Sequence, residues 1–349
     1  MTPGTLLIRA DAGVTIGTGH VMRCLALAQA WQDAGGSVTF AMAQSTSAIN
    51  ERLHNEGFRV VEIEGSPASR IDLERTTDQA QAARASWVVV DGYDFDPPYQ
   101  MALGEAGFKV LLVDDNGQLE GYTADVVLNQ NLHADEKMYR ERAPRTKLVL
   151  GTKFALLRRE FGSWSSRREI SVVAGKVLVV MGGSDPDNIT SRVIQAMDQV
   201  ALPGLELSVV VGGSNPHLPS IAAAAARAQH PSRILANVTE VHKLIAGADL
   251  AISAAGSICW EYCALGLPAV VVAVAENQAL AADALDRAGA VRLVRGGGGF
   301  DVMEMTQLVT RLVNSRDERQ FMAQVGPTLV DGRGASRVVS ILLSERCAN

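Results

Sequence analysis

Cysteine is scarce in this chain, and the four residues present are not arranged for metal or disulfide chemistry. Cys24, Cys259, Cys263 and Cys347 form no CxxC pair and stand at no zinc-ligand spacing from a histidine. Cys259 and Cys263 lie four apart in an apolar run of helical character, which reads as small buried side chains. Such usage fits a reducing, cytoplasmic compartment. Long apolar runs are also missing. The longest, such as LPAVVVAVA from Leu267, fall short of the roughly 20 residues needed to cross a bilayer. The opening MTPGTLLIRADAG has neither the basic start nor the apolar centre of a secretory leader. Basic clusters are absent too. Residues 1–150 hold 13 Lys and Arg against 20 Asp and Glu, a net of −7; the remainder holds 19 against 18, a net of +1. Nucleic acid selects a basic face and anionic lipid selects clustered Lys and Arg, so neither partner is expected. No metal-ligand cluster stands out, and no metal or cofactor is expected. Asp114 and Asp115 are neighbours at a strand end, where adjacent side chains point apart, which favours structural or capping roles.

What the chain does have is length and alternation. With 349 residues and 47% hydrophobic content it has enough apolar surface for two cores. Apolar strands such as TLLIRA, SVTFAMA, FRVVEI, SWVVVDGY, KVLLVDD and DVVLN alternate with helical stretches. This is the pattern of a parallel sheet buried on both faces. The first helix carries Val21, Cys24, Leu25, Ala28 and Trp31 as a stripe of period 3.6. Periodicity weakens between Leu148 and Gly175, the expected crossing between domains. It then restarts with KVLVVMGG, LELSVVVGG, SRILAN, ADLAIS, PAVVVAVA and AVRLV. The expected fold is α/β, two tandem Rossmann-like doubly wound domains facing a cleft: 1–160, and 170–349 with a last helix able to fold back on the first domain. The RGGGGF run at Arg295 reads as a surface turn rather than a phosphate loop.

Four loops at strand ends hold the candidate chemistry. In GTGHVMR, Gly17 and Gly19 let backbone approach a ligand, and His20 and Arg23 share one side of the first helical turn. The bland alternative is a tight turn capped by His20. An imidazole at a helix N-terminus is either an anion contact or a base that the positive helix end keeps uncharged. In VVMGGSDPDN, Gly182, Gly183 and Ser184 precede a helix beginning near Asn188 and suit a phosphate, although Asp185 as a plain helix cap accounts for the same residues. In SAAGSICWEYCALG a helix starts at Gly256 and Ser257; Glu261 within it suits the two hydroxyls of a ribose, or is a solvated helix residue, and Trp260 and Tyr262 are expected to pack. In AENQALAADAL, Asn277 and Gln278 open a helix and suit a sugar, or Asn277 merely caps. Together they suit a nucleotide sugar, with the nucleotide on the second domain and a histidine on the first.

The blocks RADAGVTIGTGHVMRCLALA, VVVDGYDFD, VLLVDDN, DVVLNQN, VMGGSDPDNIT and GSICWEYCALGLPAVVVAVAENQ, in order across residues 8–290, resemble the glycosyltransferase-B superfamily. Within it they are similar to the UDP-sugar hydrolases of pseudaminic acid biosynthesis. The C-terminal block also looks like the lipid-linked N-acetylglucosaminyltransferase of peptidoglycan synthesis. The resemblance implies His20 as catalytic base, Tyr93 and Asn277 lining the sugar, and Glu261 on the ribose. It also implies the turn from Gly182 to Asp185 with Ser257 at the diphosphate, and Val238, opening the helix before ADLAIS, at the uracil. The implied reaction is metal-free hydrolysis of UDP-2,4-diacetamido-2,4,6-trideoxy-β-L-altropyranose with inversion, by a cytoplasmic monomer whose partner is the small-molecule substrate. Two rivals stay open: a glycosyltransferase with a soluble acceptor, and a nucleotide-sugar-binding protein without turnover. Whether Asp11, Asp114 or Asp115 assists the base is not readable from spacing.

Overall fold

The computed structural model describes residues 3–13, 16–162, 168–213, 215–295 and 300–346. The RGGGGF glycines at 296–299 and Cys347 lie outside the described residues. The chain divides into two compact units, 1–162 with 332–349, and 163–331.

The first unit alternates strand and helix: β1 (Thr5–Ala10), α1 (Gly19–Asp33), β2 (Ser37–Met42), α2 (Ser47–Asn55), β3 (Arg59–Glu62), α3 (Arg70–Ala82), β4 (Ala85–Asp91), α4 (Pro97–Glu105), β5 (Lys109–Val113), β6 (Val126–Asn129), β7 (Lys147–Leu150) and the single turn α5 (Arg159–Gly162). Its seven strands run parallel in the order β3-β2-β1-β4-β5-β6-β7. Strand β7 falls at the start of the stretch, Leu148 to Gly175, expected to cross between domains. Its four residues are too short to show a period, yet they complete the sheet edge before the chain leaves this unit. Leu6, Ile8, Phe40 and Val89 on one sheet face pack with Val21, Cys24, Leu25, Ala28 and Trp31 of α1. Leu7, Val88, Val90 and Leu112 on the other pack with Tyr99 and Leu103 of α4. Both faces are thus covered, as near-continuous apolar strands require.

The second unit repeats the plan with β8 (Lys176–Val180), α6 (Ile189–Met197), β9 (Glu206–Val211), α7 (Leu218–Arg227), β10 (Ser232–Ala236), α8 (Val241–Gly247), β11 (Leu250–Ala254), α9 (Ile258–Leu265), β12 (Ala269–Val272), α10 (Glu276–Ala288), β13 (Arg292–Val294), α11 (Val302–Asn314) and α12 (Arg316–Leu329). Six parallel strands run in the order β10-β9-β8-β11-β12-β13, which is the doubly wound order 3-2-1-4-5-6. The final helix, α13 (Gly334–Arg346), belongs to the first unit and packs on α1. A Cβ on Gly334 would sit 2.1 Å from the Ala155 carbonyl oxygen, so only glycine lets the helix start at that depth. Among the described residues, no helix is long and apolar enough to cross a membrane.

In each sheet, strand order reverses between two adjacent strands, β1 and β4 in the first and β8 and β11 in the second. The loops leaving such a pair part to opposite faces and open a crevice at their carboxyl ends, where ligands of this fold bind.

Candidate active site

His20 and Asp91 meet at the reversal point of the first sheet. His20 is the second residue of α1, which follows β1, and Asp91 is the last residue of β4. Between β1 and α1 the loop is closed by Gly13 and Gly17, each amide donating to the other's carbonyl at 2.9–3.0 Å. Gly17 has φ +76°, which suits glycine alone. Its amide is therefore engaged within the loop, whereas Gly19 is an exposed first helical residue and the helix end has no side-chain cap.

His20 is 6% exposed, and its Nδ1 lies 2.6 Å from Asp91 Oδ1. Burial alone would raise the Asp91 pKa, but the Arg23 guanidinium and His20 hold this carboxyl well below the usual carboxylate range. An ionised carboxylate has no proton to give, so the bond runs from Nδ1–H to Oδ1. Arg23 Nη2 is 2.6 Å from Oδ1 and 3.2 Å from Nδ1; with Nδ1 protonated, its hydrogen goes to the carboxylate. In the neutral ring the lone pair then sits on Nε2. That nitrogen meets no hydrogen-bond partner among the described residues. Tyr93, 38% exposed, stands edge-on to the imidazole with ring centroids 5.0 Å apart.

Asp91 accepts a full set of bonds. Oδ1 receives His20 Nδ1 and Arg23 Nη2; Oδ2 receives Arg23 Nε at 2.7 Å and the Cys24 thiol at 3.3 Å. Burial and the neighbouring carboxylate push the Cys24 thiol pKa up, so it stays a donor. All these donors come from positions 20, 23 and 24 of α1, one face of its first turns. Arg23, expected at the substrate, has its remaining nitrogen Nη1 2.8 Å from both oxygens of Asp115. Asn131, just after β6, donates to Asp115 Oδ1 at 3.0 Å. Asp114 turns the other way, accepting the Asn116 and Gly117 amides and the Tyr122 hydroxyl. Asp11 accepts the Ala43 and Gln44 amides and pairs with Arg9. Of these three acids only Asp115 touches the histidine network, and it does so through Arg23.

Sequence reasoning passed over Asp91. The available signal was a carboxylate ending the apolar run VVV of a strand buried on both faces. A charge there is costly without a cation beside it, so a partner had to exist.

In the second unit the expected nucleotide loops converge on the other reversal point. Gly182, Gly183 and Ser184 follow β8, and Gly256 and Ser257 follow β11, the strand paired beside it with Val180 opposite Ser253. Gly182 has φ +90° and is exposed. The start of α6 departs from an open anion site, because Asp185 accepts the Ile189 amide at 2.8 Å, the Thr190 amide at 3.0 Å and the Thr190 hydroxyl at 2.6 Å. Its carboxylate already occupies the helix end that a phosphate would use. No such side-chain cap closes α9 or α10. Ser257 caps α9 by position only, and a side chain on Gly256 would meet nothing within 4 Å. Glu261 is the fourth residue of α9, half-buried, with Trp260 and Tyr262 packed beneath. Asn277, exposed, is the second residue of α10; Gln278 folds back so that its Oε1 accepts the Val274 amide at 3.1 Å. Val238 does not open a helix: α8 begins at Val241, and Val238 lies in the preceding loop beside Asn237 at φ +53°. Cys259 and Cys263 are buried, and burial pushes the Cys263 thiol up to about 12.

The family model "Glycosyltransferase family 28 C-terminal domain" matches residues 177–325, nearly the whole second unit. The chain is 24% identical over 341 residues to the spore coat polysaccharide biosynthesis protein SpsG of Bacillus subtilis, covering 96% of each. It is 23% identical over 215 residues to the UDP-2,4-diacetamido-2,4,6-trideoxy-β-L-altropyranose hydrolase of Campylobacter jejuni, covering 61% of this chain and 71% of that one. Among solved structures, MurG of Acinetobacter baumannii matches with a TM-score of 0.66 at 20% identity, covering 98% of this chain and 99% of that one. The fold is therefore that of the glycosyltransferase-B enzymes, two Rossmann-like units in tandem.

Proposed function

We propose that this protein binds a UDP-sugar and hydrolyses it at the anomeric carbon, releasing UDP and the free sugar with inversion. The nucleotide is assigned to the second unit. There the Gly182–Ser184 turn and the uncapped start of α9 at Gly256 and Ser257 receive the diphosphate, and Glu261 the ribose. Val238 lies at the uracil, and Asn277 and Gln278 at the sugar. The base is His20 of the first unit, beside Tyr93.

One observation carries the reading: the Nδ1–H of His20 is committed to an ionised Asp91, which leaves Nε2 as an open lone pair. Nε2 takes a proton from water as the oxygen attacks C1, the C1–O bond to the diphosphate breaks, and UDP departs with the bond's electron pair. The histidine then returns its proton to solvent. Glycosidases acting on poor leaving groups need a second carboxyl as acid. A diphosphate departs unaided, steadied by backbone amides, so a single base suffices. The similarity to the Campylobacter hydrolase supports the 2,4-diacetamido-2,4,6-trideoxy-β-L-altrose sugar as substrate. A second reading follows from the glycosyltransferase family match: the same base activating an acceptor hydroxyl.

Incubation with the UDP-sugar in ¹⁸O-water, without acceptor, distinguishes the two. Hydrolysis gives stoichiometric free sugar carrying the label and unlabelled UDP. Turnover that appears only when an acceptor is added supports the transferase, and tight UDP binding with no turnover of any UDP-sugar makes the protein a binder.

A further inference from the structure

Arg23 has three donor nitrogens engaged on two carboxylates, and the residue that reads as a substrate contact in the sequence is 6% exposed. We infer that Arg23 is a positioning residue, which holds Asp91 as an ionised, immobile acceptor so that His20 keeps its proton on Nδ1 and its lone pair on Nε2. This rests on the reading of His20 as the base.

The argument starts from Asp91, whose side chain is fully buried. A buried carboxylate facing only a neutral imidazole has two ways to shed its uncompensated charge. It can take up a proton from water and become a donor, or it can swing away from the ring. In the first case a protonated Asp91 donates to Nδ1, the ring proton moves to Nε2, and the open nitrogen stops being a base. Arg23 closes both routes. Its Nε and Nη2 lie 2.7 and 2.6 Å from the two oxygens of Asp91, a side-on fork that fixes the carboxylate plane and supplies the countercharge. Asp115 fixes the other edge of the same guanidinium, gripping Nη1 with both oxygens at 2.8 Å, and Asn131 holds Asp115 in turn. The Cys24 thiol fills the last acceptor position on Asp91. Tyr93 meets the imidazole in a T-shaped ring contact. Because Asp91 keeps its charge, the imidazolium formed when Nε2 takes a proton from water keeps its Nδ1 proton and does not pass it to the carboxylate.

The test reads the tautomer directly and the rate separately. With ¹⁵N-labelled histidine, His20 of the wild-type protein is expected to show a protonated Nδ1 and a bare Nε2 in its neutral form; a protonated Nε2 there overturns the inference whatever the variants do. Arg23→Met is expected to populate the opposite tautomer and to lower kcat by about 10²-fold or more, the scale of a lost general base, with UDP affinity unchanged. Arg23→Lys, which keeps the charge but not the fork, should retain the wild-type tautomer and recover part of that rate, with KM unmoved. A protein that merely lost packing would show reduced folded yield and weaker UDP binding with the tautomer intact. Arg23→Met that binds UDP normally and keeps both wild-type tautomer and kcat within about threefold refutes the role. If that variant does not fold, Arg23→Lys with wild-type kcat refutes it instead. Absence of turnover in the wild type would sink the hydrolase reading alone, since the tautomer still decides this one.

Discussion

In the proposed reaction His20 serves as a base only because of what lies behind its ring. An imidazole presents a lone pair from either nitrogen, and the 2.6 Å contact with Asp91 selects which one. His20→Asn is expected to lower kcat by about 10²–10⁴-fold while UDP affinity, assigned in the proposal to the other unit, stays as in the wild type; steady-state kinetics with calorimetric UDP titration measures both. Asp91 also ties the site to stability. Its pKa is depressed in the folded protein, so between the ordinary value near ~3.9 and the lower folded value the unfolded chain binds more protons. The stabilisation is therefore complete above about pH 4 and is lost as pH falls further. Urea midpoints followed from pH 7 to pH 3 should show this decline, and Asp91→Asn should weaken the slope. The same variant should cost about 3–5 kcal/mol at pH 7, nearer the lower figure because Arg23 keeps Asp115. His20 was legible in the sequence as a histidine among glycines after a first strand. Arg23 was legible as its neighbour on the helix face but not in its role, because a guanidinium three residues along is equally able to face substrate or carboxylate. Which it faces depended on Asp91, 68 residues away in sequence.

At the scale of elements, each candidate loop has its available amides set by how the next helix is capped. The amides that open α6 look available for phosphate in the sequence GGSDPDN, but Asp185 at φ +44° turns its carboxylate back onto them. Asp185→Ala should therefore destabilise the second unit by about 2 kcal/mol, combining a lost N-cap with an alanine held at positive φ; a denaturant titration of the variant against wild type checks this. By contrast α9 and α10 begin without a side-chain cap; the Cys259, Trp260 and Gln278 amides already donate to the Gly256, Ser257 and Ala275 carbonyls, so a ligand would meet the amides ahead of them. Nothing in the local sequence separates these cases. A capping residue and a ligand compete for the same few amides, and the turn geometry decides between them. The short strand β7 was illegible for a related reason: four residues carry no measurable period, and the strand exists because the exposed edge of β6 offers it a ladder.

The whole molecule is two units with separate apolar cores, one built around β1, β4 and α1 and one around β8, β11 and α6. If UDP binds the second unit alone, it should raise that unit's unfolding free energy by about 2.7 kcal/mol at 100 times its Kd and leave the first unit's transition in place. Calorimetric scans with and without UDP test this, and an equal shift of both transitions would count against the assignment. The amino-acid sequence by itself determined the architecture. Strands buried on both faces, each followed by an amphipathic stripe, can satisfy their backbone and cover their apolar surface only as parallel sheets layered with helices. It also marked the candidate loops, because glycines and polar residues interrupt the apolar pattern at strand ends. Only the tertiary structure decided what those loops do. It brought Asp91 to Nδ1 of His20, turned Arg23 inward and closed α6 with Asp185. The reason is that a charge or a hydrogen bond is defined by its partner's position, and strand order brings Asp91, Asp115 and Asn131 to the start of α1 from distant parts of the chain.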